Sequence, residues 1–254
     1  MPTGPDMPNE MTLPNSDFSL ALAATGWTGH FGFPTRTTIG TLQADARYRI
    51  GNVRLSAAVP YTRIDSDIAV FTGIDGTPLI AAPVNPTGRR RREGLGDLTL
   101  GAAWQALSED RAGGDLEFSG RVKLPTSSND RLSTGRTDVA IGLEASKSFG
   151  RLVPLATVTY RWFGDTPMWR LRDGVALSVG SSFRLGQRVV LLATYDYADR
   201  TSDYIRDSQE LVFGASAPIG PRLRISGYAS AGLTSGAPAF SSGASIGFSF
   251  GRRG

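Results

Sequence analysis

The feature that most constrains this chain is a two-residue alternation of apolar and polar side chains, recurring in segments of about 10 to 14 residues. Successive side chains on a strand point to opposite faces, so this period means sheet. Gly94 to Leu107 displays it plainly. Leu98, Leu100, Ala102, Trp104 and Ala106 share one face, and Asp97, Thr99, Gly101, Ala103 and Gln105 share the other. Twelve such segments occur, at 17–27, 37–50, 53–64, 94–107, 115–125, 137–149, 152–163, 174–185, 188–198, 208–219, 222–233 and 239–250. Globular strands average roughly 5 to 6 residues, whereas a tilted bilayer-spanning strand needs roughly 9 to 11.

Alternation by itself also fits a soluble sandwich with its apolar faces turned inward. Connection lengths favour a membrane barrel instead. Short ones at 51–52, 108–114, 150–151, 186–187 and 220–221 alternate with long ones at 28–36, 65–93, 126–136, 164–173, 199–207 and 234–238. Outer-membrane barrels pair short periplasmic turns with long extracellular loops. An even strand count then places both termini in the periplasm.

Aromatic positions agree with that topology. Trp27, Tyr61, Tyr160, Trp162, Tyr195, Tyr197 and Phe240 fall near the outer rim. Phe18, Tyr48, Trp104, Phe149, Phe183, Phe248 and Phe250 fall near the periplasmic rim. Two such girdles are what lipid-interface anchoring predicts. The expected fold is all-β, a 12-stranded antiparallel up-and-down transmembrane β-barrel over 17–254, with residues 1–16 as a flexible leader.

Composition narrows function. A hydrophobic content of 40% excludes a disordered chain, and 31 glycines with 15 prolines suit many turns. No cysteine is present, which rules out a disulfide framework or a thiolate metal site, and a single histidine argues against a transition-metal centre. No apolar run approaches the roughly 18 residues of a membrane helix, and the N-terminus has no signal-peptide pattern. The formal net charge of +4 is spread over scattered arginines, so a nucleic-acid partner is not expected.

The polar face carries the chemistry. Its lumen-lining candidates are Asp45, Arg47, Arg49, Arg54, Asp97, Asp115, Glu117, Arg121, Lys123, Asp138, Glu144, Arg161, Arg184, Asp196, Glu210, Arg222 and Arg224. They fit either a solute-selecting pathway or an ion-pair network bracing a narrow barrel. The network is the simpler account of most of them. His30 would be needed for a Ser-His hydrolase, yet no serine nucleophile motif accompanies it. Arg89, Arg90, Arg91 and Arg92 suit either lipopolysaccharide phosphates or solvent. Within 65–93, Asp75-Gly76 can close a hairpin over 68–82, as a lid on the mouth or as an extension of the wall.

Four pieces carry a family resemblance: Gly94-Leu-Gly-Asp-Leu-Thr-Leu-Gly101, Val122-Lys-Leu-Pro-Thr126, Ser133-Thr-Gly-Arg-Thr-Asp138 and Ser146-Lys-Ser-Phe-Gly150. Together they resemble the bacterial outer-membrane family labelled "putative MetA-pathway of phenol degradation". The resemblance implies a Gram-negative outer-membrane barrel and the uptake of aromatic or hydrophobic compounds. The chain departs from the usual aromatic C-terminus, because Gly251-Arg-Arg-Gly254 follows Phe250. The leading expectation is a porin-like channel or transporter for small solutes, with no catalysis, cofactor or metal. A structural or interaction barrel with a closed lumen is the alternative, and an outer-membrane hydrolase a further one.

Overall fold

The computed structural model describes residues 18–82, 90–164, 170–186 and 188–250. The expected leader at 1–16, Arg89 and the tail at 251–254 lie outside them. The wall strands before the longest loop are β1 (Phe18–Gly29), β2 (Thr37–Ile50) and β3 (Val53–Ser66). A small hairpin, β4 (Ala69–Thr72) and β5 (Pro78–Ala82), follows. The wall resumes with β6 (Arg90–Leu95), β7 (Leu98–Leu107), β8 (Asp115–Leu124), β9 (Asp138–Ser146) and β10 (Leu152–Trp162). It is completed by β11 (Gly174–Leu185), β12 (Val189–Ala198), β13 (Ser208–Pro218), β14 (Leu223–Gly232) and β15 (Phe240–Phe250).

Each wall strand pairs antiparallel with its neighbours, and β1 pairs with both β2 and β15. The sheet therefore closes as a 12-stranded barrel, with β6 and β7 sharing one position against β3. Closure leaves no open edge, as a lipid-exposed sheet requires. Phe18 pairs with Phe250, so the described chain begins and ends at the rim that carries the short turns. Tight turns there use glycine at positive φ, at Gly51 (57°), Gly150 (65°) and Gly186 (66°). The turn expected at 108–114 holds one helical turn, Glu109–Ala112. Its Glu109 carboxylate accepts from the Ser148 hydroxyl at 2.6 Å and ties two short connections together.

The outward face is apolar over its whole girth. Leu22, Leu42, Leu55, Leu100, Ile141, Val179, Phe213 and Ile246 are all exposed. Such a surface would aggregate in water and is what lipid solvates. Exposed aromatics ring both rims. Trp104 stacks on Phe118 at 5.9 Å toward the short-turn end, and Tyr160 meets Trp162 at 4.6 Å toward the other.

Two sequence expectations need correction here. The segment 94–107 is not one strand. Tyr61 pairs with Leu95 while Ala58 pairs with Thr99, so one extra residue is accommodated around Gly96 and Asp97. Pro60, opposite, has no N–H to give the ladder, and its carbonyl accepts from Gly96 at 2.8 Å. A Cβ on Gly96 would sit 2.9 Å from the Pro60 ring. The bulge inverts the alternation: Arg92 faces inward on β6, whereas Asp97, in the break between the strands, and Thr99 on β7 face inward. Trp27 is the second correction. It lies on the inner face with Ser19, Ala21, Ala23 and Thr25, is 4% exposed, and cannot belong to the lipid girdle. Strict alternation from Phe18 already puts every odd position of β1 inside.

Candidate functional site: a partitioned lumen

The hairpin β4–β5 enters the barrel rather than lying over it. A single 3-10 turn at Ile74–Gly76 closes it, with Asp75 at positive φ (59°). Its apolar residues take two inward positions. Ile68, Val70 and Ile80 join Trp27, Phe31, Ile39, Ile64, Leu132 and Ile205 in a buried cluster toward the long-loop mouth. Phe71, Ile74 and Leu79 pack on Ala140 and Phe163 of the opposite side.

Polar contacts pin the tip. Lys123 lies 3.0 Å from Asp97 and 3.0 Å from Asp138, and all three side chains are at most 3% exposed. Asp97 also accepts from the backbone of Thr126 and Ser127 and from the Ser133 hydroxyl. Asp138 accepts the Ile74 N–H at 2.9 Å and the Gly164 N–H at 3.1 Å. Arg121 pairs with Asp75 at 3.1 Å. Arg161 donates to the Thr77 hydroxyl at 2.9 Å, and the Thr201 hydroxyl donates to the Pro78 carbonyl at 3.1 Å. A buried charge is tolerated best when paired: in this cage Lys123 sits between two carboxylates and Arg121 on a third, while Arg161 holds the Thr77 hydroxyl with its buried Nε left without a hydrogen-bond partner.

Asp75 and Arg121 form a crossbar that touches both sides of the lumen. On one side is a cavity of about 270 Å³ against β14, β15, β1, β2 and β3. It extends from Ser19 near the short-turn rim to Trp27 near the other. Small residues line much of it, Ala21, Ala23, Ser226, Gly243, Ser245 and Gly247 among them, beside Gln43, Arg47, Arg224 and Tyr228. On the other side is a cavity of about 90 Å³ against β10 to β13. Leu155, Val190 and Leu192 form an apolar cluster on that inner wall.

The remaining candidates distribute as follows. Arg54 pairs with Glu117 at 2.6 Å, and Arg49 sits opposite Arg54 in the β2–β3 register. Asp115 accepts from Gln105 at 3.0 Å. Asp45 accepts from Gln43 at 2.9 Å, and Arg224 donates to Ser216 at 2.6 Å. Asp196 and Glu210 are direct cross-strand partners; Asp196 accepts from Ser178 at 2.6 Å and Glu210 from Ser230 at 2.7 Å. Arg47 lines the large cavity, while Glu144 and Arg184 occupy inward register positions toward the short-turn rim. Arg222 lies exposed in the final short turn. His30 is exposed at the opposite mouth.

The arginine run divides. Arg91 is exposed and pairs with Glu93 at 2.9 Å, whereas Arg92 is 7% exposed and buried inside. Arg92 therefore cannot reach lipid phosphates, because the bulge turns even positions of β6 inward. Residues that alternation did not single out are Thr77, Leu132 and Ser133. The apolar content of 68–82, unusual for a solvated loop, was the available signal for the hairpin. The polar loop 126–136 carried none for Leu132.

Comparisons with solved structures agree with the barrel. The COG4313 outer membrane channel from Pseudomonas putida F1 superimposes with a TM-score of 0.72 at 14% identity, over 97% of this chain and 100% of that one. The translocator domain of autotransporter NalP from Neisseria meningitidis gives 0.59 at 15%, over 95% and 91%. The CymD monoaromatic hydrocarbon channel gives 0.51 at 11%, over 94% and 90%. At these identities the likeness is one of fold: an outer-membrane β-barrel. A search of curated proteins finds no matching sequence. The family model described as "Putative MetA-pathway of phenol degradation" matches residues 15–250, and the chain belongs to that family.

Proposed function

We propose that the protein is an outer-membrane channel for small apolar or amphiphilic solutes, aromatic ones included, with both termini in the periplasm. The observation that carries this reading is the cavity of about 270 Å³, which follows the β14–β3 wall past the locked hairpin. A barrel needed only as a structural element has no reason to keep two adjacent strands, β15 and β1, mostly small on their inner face. Family membership and the fold shared with the COG4313 channel and the CymD monoaromatic hydrocarbon channel support the same reading. Arg63 and Arg91, both exposed beside Glu93, are the residues we assign to lipopolysaccharide phosphates.

A closed structural barrel is the second reading. The buried cluster of Trp27, Phe31 and Ile39 near the long-loop mouth favours it. Planar-bilayer recordings separate the two. The channel reading expects discrete single-channel steps that flicker or drop when a monoaromatic solute is added. A silent barrel, indifferent to solute, contradicts it.

A further inference from the structure

The large cavity has two chemically different ends. Trp27, packed edge-on to Phe31 at 5.4 Å, stands at one end, beside Thr25, Thr41 and Thr62. Arg47 and Arg224 stand toward the other. The cavity wall carries four cations and three carboxylates, Arg47, Arg121, Lys123 and Arg224 against Asp45, Asp75 and Asp97. Asp75 is taken by Arg121 and Asp97 by Lys123. Asp45 is engaged by Gln43.

That leaves two guanidiniums without a carboxylate at salt-bridge distance among the described residues. Arg224 donates to one serine hydroxyl, and its Nε is buried without a hydrogen-bond partner. Both line the same cavity, Arg47 from β2 and Arg224 from β14, where the Arg224 guanidinium leans to Ser216 of β13. Arg224 pairs with Gly247, Gly247 with Ala21, and Arg47 with Ser19 on the next inward row. Three strand spacings separate β14 from β2, roughly 14 Å of wall. Nothing larger than a serine side chain projects from β15 or β1 between them.

We propose that the bay between Arg47 and Arg224 is a carboxylate subsite, and that the preferred solutes are single-ring organic acids rather than neutral hydrocarbons. Guanidinium is the side chain best matched to a carboxylate, through paired N–H donors. A floor of alanine, glycine and serine along β15 and β1, flanked by unpaired cations, suits a flat amphiphile that carries a ring and one negative charge. The inference rests on the channel reading and deepens it.

The test is the purified barrel in planar bilayers, with benzoate, benzyl alcohol and benzylamine as probes. In a potassium chloride gradient the wild type is expected to show an anion-selective reversal potential, and benzoate to interrupt the current at lower concentration than either other probe. Arg47→Gln with Arg224→Gln should move the reversal potential toward zero and abolish the preference for benzoate, with conductance retained. Arg47→Lys with Arg224→Lys should keep the anion selectivity. Heat-modifiable migration on gels confirms that each variant is folded. A conducting wild type that treats the three probes alike, or a double glutamine variant that keeps the benzoate preference, overturns the subsite and leaves the channel standing. No conductance in the wild type or after hairpin removal overturns the channel reading and the subsite with it.

Discussion

The two sides of the lumen obey the same alternation and are built from opposite materials. Along β15 and β1 the inward positions are mostly small, and space remains between the larger side chains of β2 and β14. Along β8, β9 and β10 they are Arg121, Lys123, Asp138 and Arg161, and a hairpin fills the space. Period two guarantees a wall. It does not say whether the interior is empty or packed; side-chain size and long-range pairing decide that. On the packed side the long charged side chains meet one another and a hairpin delivered from the longest loop.

Replacing residues 70–80 by a short Gly-Ser link should have the largest effect on this contrast. The two cavities would merge, and single-channel conductance should rise several-fold. Unchanged conductance would mean that the hairpin is not the partition.

Next comes the cage itself. Lys123→Met strands two buried carboxylates and should cost about 3 to 5 kcal/mol in urea unfolding from detergent. Gln43→Met on the open wall should stay within about 0.5 kcal/mol. Equal losses would show that both walls are equally packed. On the outer face, Val179→Arg near mid-strand should cost about 2 to 4 kcal/mol in refolding into lipid. A neutral result there would contradict the assignment of that face to lipid. The smallest effect is expected from Arg121→Met. It removes one arm of the crossbar while Asp138 still holds Ile74, so conductance should rise slightly and stability should change little.

Much of the wall was legible in the sequence because alternation is local. Each segment reports its own two faces, and the long-short rhythm of connections orders them. The failures arise where a non-local partner intervenes. Pro60 meets Gly96 only across the sheet, so the bulge that turns Arg92 inward is invisible in 94–107 read alone. Trp27 is different: its parity places it inside, although tryptophan more often marks a lipid interface. For the lumen, the individual charged residues were readable, and so was an interior ion-pair network. Which charges pair was not, because Lys123 of β8 meets Asp138 of β9 and Asp97 of the break before β7, residues far apart in the chain. The open bay was equally hidden, since it is defined by what small residues on β15 and β1 leave unfilled.

The central claim is that the permeation route follows the β14–β2 wall and that the β8–β10 side is closed. The chain contains no cysteine, so single reporters can be placed without a background. Ala23→Cys faces the large cavity, whereas Thr159→Cys faces the small one beneath Arg161. A water-soluble thiol reagent added during single-channel recording should reduce the current through Ala23→Cys and leave Thr159→Cys unaffected. Block at Thr159→Cys with none at Ala23→Cys would contradict the account.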